Sequence, residues 1–272
     1  MMKRKGWVVL FNLCLVILLV ACDGNEEKDE NAVIKMGING EVNLIWKSVQ
    51  SRLADEGITL EFVAFSDYNI PNQALADGEV DLNCFQTQSF FEQFIKDHNL
   101  DLVPLETVYF APMAIFSTKI NDLSELKEGD KVSIPNDASN GGRALLLLQE
   151  AGVIKLKDNH STHPTIKDIV DNPLNLEFIE LVAQQIPRSF DDVAVAVVNN
   201  NVAIQSGLSV VNDSIFIESQ ETEGIETFFN IIAVKEEDKD NPLYQKFLEV
   251  YKTEETKDAM YEEFKGGWIP LF

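Results

Sequence analysis

The segment from Pro135 to Arg143 combines residue types that bind anions. A predicted strand ends at Pro135, a loop of small and amide residues follows, and a helix is predicted to begin near Asn140 with Arg143 in its first turn. A cation is disfavoured there because the helix dipole is already positive, unless an anion lies opposite. Free backbone N–H groups and a guanidinium suit a carboxylate or phosphate. The alternative is a structural salt bridge between Arg143 and an acidic residue, and the segment leaves both open.

Amide side chains occupy two further positions where a ligand could bind. Asn199, Asn200 and Asn201 follow a strand of small apolar residues that reads as buried on both faces. That is the sheet edge at which open α/β folds bind ligands, although one asparagine could simply cap a helix. Asn230 lies inside an apolar strand, where a buried amide must bond to backbone or to ligand.

Three aromatic residues follow strand ends in the first half of the chain: Tyr68, Phe85 and Phe90. They could wall an apolar pocket. Aromatic residues at such spacing more often form plain core, and their positions alone favour that interpretation.

Signatures of catalysis are missing from the sequence. It contains no G-x-S-x-G elbow, no P-loop and no G-x-G-x-x-G. His160 and His163 could begin a metal site, but no cysteine or third histidine lies near them, so a surface loop is the expected setting. We therefore expect no enzyme activity, no metal and no cofactor.

The elements that must position these residues follow a βαβ rhythm. Strand signals at 33–38, 58–65 and 80–85 alternate with apolar stripes at helical spacing, and the rhythm restarts after residue 122. This predicts an α/β fold. Two similar halves, each too small for one core of about 250 residues, indicate two lobes with a ligand cleft between them. The acidic stretch 218–226 is a candidate return crossing.

The N-terminus predicts a lipid anchor at Cys22. Three cations at residues 3–5 precede an apolar run from Trp7 to Val20, and small residues lead into the cysteine. This is the pattern of a bacterial signal peptide, here 1–21, that ends in a site for cleavage and acylation. An uncleaved transmembrane anchor is the alternative, but the run is shorter than the roughly 20 residues that span a bilayer. Residues 22–32 then form a lipidated, flexible tether.

Charge excludes one class of partner. The full chain carries a net charge of −23, and loss of Lys3, Arg4 and Lys5 with the signal peptide makes the mature chain about −26. Such a protein repels nucleic acid and anionic membrane surfaces, so the lipid must provide the anchoring. After processing, Cys84 is the one cysteine not modified by lipid, so we expect a buried thiol and no internal disulfide.

Several motifs in order resemble one family, the methionine-binding lipoproteins of the NlpA/MetQ type. The resemblance covers essentially the whole mature chain and rests on these segments: FSDY at 65–68, PNQAL at 71–75, DLNCFQ at 81–86, PND at 135–137, Asn140 with Gly142 and Arg143, LLLLQ at 145–149, QIPRS at 185–189 and GGWIP at 266–270.

The resemblance implies a two-lobed periplasmic-binding-protein fold of type II. It places lobe I at 33–112 plus 226–272 and lobe II at 113–225. It also implies a small-molecule ligand such as L-methionine, a related amino acid or a dipeptide, and delivery to an ABC permease and its ATPase. The protein would be lipid-anchored on the extracytoplasmic face of the cell membrane.

The family's site residues can be carried over by position. Arg143, assisted by Asn140, would bind the ligand α-carboxylate, and Asn199 and Asn230 would hold the other polar groups of the amino acid. The side-chain pocket would be lined by Tyr68, Phe85, Thr87 and Phe90. Two of these positions depart from the family pattern, which has His at 87 and Tyr at 90. The resemblance therefore supports an amino-acid carboxylate better than methionine itself.

The leading hypothesis is thus a lipid-anchored substrate-binding protein of an ABC importer. A surface lipoprotein that acts as a sensor or adhesin is the alternative from another class, and an enzyme derived from the same scaffold is the third. A gene neighbourhood with a permease and an ATPase would favour transport.

Overall fold

The computed structural model describes residues 32–272. The predicted signal peptide, Cys22 and residues 23–31 of the tether lie outside this part of the chain. Ala32, which was predicted to be the last tether residue, instead begins the first strand and pairs with Ile58. The first strand therefore starts one residue earlier than predicted.

Thirteen strands are present in the described residues. In chain order they are β1 Ala32–Asn39, β2 Ile58–Phe65, β3 Leu82–Thr87, β4 Leu102–Phe110, β5 Ala114–Phe116, β6 Lys131–Pro135, β7 Lys155–Leu156, β8 Ile169–Asp171, β9 Glu177–Leu181, β10 Val195–Val198, β11 Phe216–Ile217, β12 Phe229–Lys235 and β13 Ile269–Pro270.

Seven α-helices accompany the strands in the same residues. They are α1 Leu44–Asp55, α2 Ile70–Asp77, α3 Gln88–His98, α4 Ala138–Glu150, α5 Asn200–Gln205, α6 Pro242–Tyr251 and α7 Glu254–Phe264. Within residues 32–272 no helix is long and apolar enough to cross a bilayer.

The strands form two mixed sheets. The first has the order β13-β4-β12-β3-β1-β2, in which β1 runs parallel to β2 and β3 and the remaining pairs are antiparallel. The second has the order β11-β5-β10-β6-β9, with β10, β6 and β9 parallel. Strands β7 and β8 form a small hairpin of their own.

Local sequence explains several element boundaries. The Asn43 side chain accepts a hydrogen bond from the Trp46 N–H at 3.1 Å and so caps α1. Gly78 ends α2 in the left-handed conformation that glycine adopts without strain (φ 78°). The sequence predicts a helix over 71–77 that Gly78 ends, and these bounds agree with α2 to within one residue.

Each sheet packs its own buried core. Trp46, Tyr109 and Tyr251 lie in the core of the first sheet, while Ile134 and Leu148 belong to the core of the second. The chain leaves the first sheet after β4 and re-enters it at β12, and the predicted crossing at 218–226 lies on that return path. The lobe boundaries at 112 and 225 stay our proposal.

Two predicted elements differ in a way that affects the site. The Asp137 carboxylate accepts the Asn140 N–H at 2.8 Å and caps α4, so this helix begins at Ala138 rather than near Asn140. Strand β4 extends to Phe110 instead of ending at Leu105, because β12 pairs along its length. The aspartate cap outweighs the two glycines that made the sequence look like a continuing loop.

Candidate functional site

One cavity of about 380 Å³, including its opening to solvent, lies between the two sheets. Its lining includes all eight side chains that the sequence analysis nominated as ligand-binding: Tyr68, Phe85, Thr87, Phe90, Asn140, Arg143, Asn199 and Asn230. The remaining lining residues are Gln86, Ala111, Asn200 and Asn201. The structure brings the nominated residues together, and their role in binding stays a prediction.

Strand direction explains the convergence. Phe85 and Thr87 end β3, and Asn199 directly follows β10. Carboxyl ends of parallel strands meet at one edge of a sheet, where ligands bind in open α/β folds. Asn230 lies on β12 directly opposite Thr87, so the antiparallel pairing delivers it to the same edge.

Arg143 is the charged member of this lining, and its charge is matched inside the protein. Its Nε donates to Glu218 Oε1 at 2.9 Å, while Nη2 donates to Glu218 Oε2 and, at 3.0 Å, to the Ala111 carbonyl oxygen. Only 3% of the Arg143 side chain and 4% of the Glu218 side chain are exposed. Glu218 Oε2 also accepts the Met113 N–H at 2.9 Å, so the carboxylate is fully bonded.

This geometry corrects the argument made from the helix dipole. Arg143 lies in the second turn of α4, not the first, and the anion opposite it is Glu218. The salt bridge that was held open as the alternative is therefore present. It engages Nε and Nη2 but leaves Nη1 without a hydrogen-bond partner in residues 32–272, so the guanidinium retains one edge for a ligand.

Both ends of the Asn140 amide form hydrogen bonds inside the protein. Its Nδ2 donates to both carboxylate oxygens of Asp137 at 3.0 Å, and its Oδ1 accepts from Asn199 Nδ2 at 2.7 Å. Burial raises the pKa of Asp137, opposed by the hydrogen bonds from Asn140. The Asn140 amide therefore bridges Asp137 and Asn199, while its assistance to Arg143 in ligand binding stays a prediction.

Two amide oxygens at the cavity lack partners. Asn199 Oδ1 and Asn230 Oδ1 are buried and accept no hydrogen bond within residues 32–272. Asn230 Nδ2 lies 3.4 Å from the Tyr109 hydroxyl, so this amide bonds a side chain rather than backbone, and the ligand remains the other partner that the sequence analysis considered. Buried polar groups are usually satisfied, so these two oxygens are available to a hydrogen-bond donor in the cavity.

Three aromatic residues lie next to one another in the cavity lining and form an aromatic wall. The ring centroids of Tyr68, Phe85 and Phe90 lie 6.0 to 6.2 Å from one another. They belong to a buried cluster and also line the cavity. The two predictions made for them, core and pocket wall, are therefore compatible. Burial raises the pKa of Tyr68, which keeps its hydroxyl protonated at neutral pH.

Thr87 has a structural task that its sequence position did not reveal. Its hydroxyl oxygen accepts the Phe90 N–H at 3.2 Å and caps α3. The two positions that depart from the family pattern are therefore joined by a hydrogen bond across the start of this helix.

The three consecutive asparagines, 199 to 201, have different hydrogen-bond partners. Asn200 donates to the carbonyl oxygens of Pro112 and Gly267 and accepts from Trp268 Nε1 at 3.1 Å, so its amide is used to hold chain segments together. Asn199 occupies the cap position of α5 without a capping bond and turns to Asn140 instead. Asn201 borders the cavity.

Sequence reasoning missed Gln86, Ala111 and Glu218. Gln86 was inside a quoted motif, and it joins a fully buried amide network with Asn72 and Asn83. Glu218 is one of 45 acidic residues and carries no local signal that separates it from the others. Only its distance from Arg143 identifies it.

His163 lies in a loop, the setting expected from the sequence, but its side chain is half-buried there. Its Nε2 contacts Ser89 Oγ at 2.8 Å, and Ser89 Oγ also contacts Ser139 Oγ at 2.9 Å. Burial lowers the pKa of His163, opposed chiefly by Asp137. These bonds join α3, which follows a strand of the first sheet, to α4 and the 160–164 loop beside the second.

Comparison with known proteins agrees with this architecture. The D-methionine-binding lipoprotein MetQ of Salmonella typhi is 42% identical over 271 residues, which cover 98% of each chain. A nutrient-binding protein from Burkholderia cenocepacia, solved with methionine bound, superposes with a TM-score of 0.83 at 37% identity and covers 88% of this chain and 100% of its own.

A third comparison concerns transport. The substrate-binding protein of a methionine transporter from Streptococcus pneumoniae has a TM-score of 0.83 at 34% identity, covering 88% of this chain and 96% of its own. These neighbours confirm the predicted fold class, that of the periplasmic substrate-binding proteins. The family model of the NlpA lipoproteins matches residues 34–272. The chain therefore belongs to the NlpA lipoprotein family.

Proposed function

We propose that the protein captures methionine, or a closely related amino acid or short peptide, for an ABC importer. The relatives are named as D-methionine-binding lipoproteins, and a structural neighbour serves a methionine transporter. The cavity lining supports a small polar ligand with an apolar side chain, since it combines six asparagine or glutamine side chains and one arginine with three aromatic rings.

The observation that carries the proposal is the pair of unsatisfied oxygens on Asn199 and Asn230. A ligand ammonium group supplies three donors and no acceptor, so it has enough donors for both oxygens. The free Nη1 of Arg143 is the matching donor for a carboxylate. A zwitterion fits such a site because its own charges balance beside the neutral Arg143–Glu218 pair.

The aromatic wall supports an apolar ligand side chain. A thioether makes favourable contacts with aromatic rings, and Tyr68, Phe85 and Phe90 offer three of them. The lining consists of amides, aromatics, a threonine, an alanine and an arginine, which bind and orient a ligand, and this supports binding rather than catalysis.

Location and partners follow from the same proposal. The relatives are named lipoproteins, and lipidation of Cys22 would hold this chain on the extracytoplasmic face of a membrane. There it would deliver its ligand to a permease driven by an ATPase.

Titration calorimetry on protein freed of bound ligand by unfolding and refolding tests the proposal. We expect L- or D-methionine to bind with micromolar or tighter affinity, because several charge-assisted bonds contribute about 1.5–3 kcal/mol each. Asn230→Ala should weaken binding by at least about tenfold. Asn212→Ala, which removes an exposed asparagine far from the cavity lining, is the matched control.

Mass spectrometry of small molecules released from the freshly purified protein gives an independent answer. Methionine or a methionine-containing peptide is the expected species. If neither isomer of methionine binds and the released molecule carries no α-amino group, the proposed ligand class is wrong.

A further inference from the structure

The Asp137 carboxylate determines which groups of Asn140 and Asn199 act as hydrogen-bond donors and which act as acceptors. A carboxylate can only accept hydrogen bonds, so the Asn140 group that faces Asp137 must be its NH₂. Both Asp137 oxygens lie 3.0 Å from Asn140 Nδ2. The carboxylate thus decides which way the Asn140 amide is turned.

The orientation of the Asn140 amide in turn determines the orientation of the Asn199 amide. With its NH₂ held by Asp137, Asn140 can offer only its oxygen to Asn199, and Asn199 Nδ2 donates to it at 2.7 Å. The remaining end of the Asn199 amide is its oxygen, which is the buried, unpartnered acceptor at the cavity. Only 4% of Asn140 and 9% of Asn199 are exposed, so water does not compete freely for these bonds.

We propose that Asp137 is a positioning residue that makes the cavity selective for a ligand amine, because it fixes the amide orientations of Asn140 and Asn199. The relay Asp137–Asn140–Asn199 ends in an acceptor where the ligand ammonium binds. Asp137 itself is absent from the cavity lining. This inference rests on the proposed function, and it identifies the ligand ammonium as the group that the relay recognises.

Replacement of the carboxylate by an amide should reverse the relay. In Asp137→Asn the amide oxygen can still accept the Asn140 N–H and cap α4, since asparagine and aspartate cap equally well. Its NH₂ takes the place of Oδ2, which now lies 3.0 Å from Asn140 Nδ2, so two donors would face each other there. Asn140 relieves this contact by turning its oxygen to position 137 and its NH₂ to Asn199, and Asn199 then turns its NH₂ to the cavity. A donor then faces the ligand ammonium, which is unfavourable.

The experiment compares two probes, L-methionine and 4-(methylthio)butanoate, which is methionine without its amino group. The measured quantity is the ratio of their dissociation constants, here called the amine preference. We expect Asp137→Asn to reduce the amine preference by at least about tenfold while the affinity for 4-(methylthio)butanoate changes little. Asp122→Asn, which also alters an aspartate cap but lies at an exposed turn, should leave the preference unchanged.

A double variant separates the relay from a loss of local structure. In Asp137→Asn the turned Asn140 presents a donor to position 199, and Asn199→Asp would accept it and again offer an oxygen to the ligand. A carboxylate at position 199 also attracts an ammonium directly, so the single variant Asn199→Asp is the reference. The substitution Asn199→Asp should raise the amine preference more in the Asp137→Asn background than in wild type, a non-additive result that a merely structural role does not produce.

Each outcome has a distinct meaning. An unchanged preference in Asp137→Asn, or an equal effect of Asn199→Asp in both backgrounds, overturns the relay while the proposed function stands. If the wild-type protein binds 4-(methylthio)butanoate as well as it binds L-methionine, the ammonium site itself is wrong. Should Asp137→Asn fail to fold, Asp137→Ser keeps a capping hydroxyl too short to orient Asn140, and a smaller fall in preference is then expected.

Discussion

Arg143 and Glu218, separated by 75 positions in the chain, form a buried bidentate ion pair at the cavity. Removal of one partner leaves the other charge buried and alone, which costs about 3–5 kcal/mol of unfolding free energy. We expect that loss for Glu218→Ala in urea unfolding experiments.

A double substitution separates stability from binding at this pair. Arg143→Met with Glu218→Leu replaces both charges by apolar groups and should recover most of the unfolding free energy lost in Glu218→Ala. It should still bind methionine at least about tenfold more weakly than wild type. Wild-type affinity in this stable double variant would show that Arg143 serves the fold alone.

Thr87→Val should lower the unfolding free energy by about 1 kcal/mol, because it removes the hydroxyl that caps α3 and keeps the side-chain shape. Thr87→Ser retains the cap and is the control. Chemical denaturation of the three proteins measures the effect. Equal stability of the valine and serine variants would contradict the capping role.

Ser89→Ala should raise the dissociation rate of methionine about two- to tenfold, because it removes bonds that join α3, beside the first sheet, to α4 and the 160–164 loop, beside the second. The hydroxyl bonds both Ser139 and His163, and net contributions of such bonds are about 0.5–1.5 kcal/mol. Stopped-flow tryptophan fluorescence measures the rate. Ser161→Ala breaks a bond inside the 160–164 loop only and should leave the rate near that of wild type; equal effects of the two substitutions would refute a bridging role for Ser89.

Cys84 should react very slowly with iodoacetamide in the folded protein. Burial raises the pKa of this thiol to about 12, so almost no thiolate forms at neutral pH. A chain that begins at residue 23 contains Cys84 as its single cysteine, which makes the reaction easy to follow by mass. Rapid labelling without denaturant, at a rate like that in urea, would rule out this burial.

The raised pKa of the Cys84 thiol also predicts that the free energy of unfolding depends on pH. Because the folded-state pKa lies above the ordinary thiol value of 9.0, the protonated thiol stabilises the fold fully below pH 9. That contribution is lost as the pH rises from about 9 to about 12. Cys84→Ala should therefore show a shallower fall in unfolding free energy over this range than wild type does.

Cys22→Ala should shift the protein from the membrane fraction to the soluble fraction. The substitution removes the thiol that the predicted lipid would occupy. Fractionation and intact mass measure the change. A variant that stays fully membrane-bound, with no lipid mass on the wild-type protein, would disprove the anchor.

Local sequence was sufficient for most element positions, because capping and apolar periodicity act over a few residues. The strand 58–65 was predicted with its observed bounds, and Gly78 marked the end of α2. Residue types and strand ends had already singled out Arg143, Asn199, Asn230 and the three aromatic residues. The motif resemblance assigned binding roles to the eight cavity residues and added Thr87, which periodicity alone could not separate from core. The start of α4 was missed because Asp137 acts as its cap, and that cap is not evident beside the glycine-rich loop.

The sequence by itself determined the α/β rhythm, the family and the residue types around the cavity. The tertiary structure decided their partners: that the anion facing Arg143 is Glu218, that Thr87 caps α3, and that Asp137 turns Asn199 through Asn140. The physical reason is range. Capping and periodicity are properties of adjacent residues, whereas the orientation of a buried amide depends on atoms that only folding brings within 3 Å.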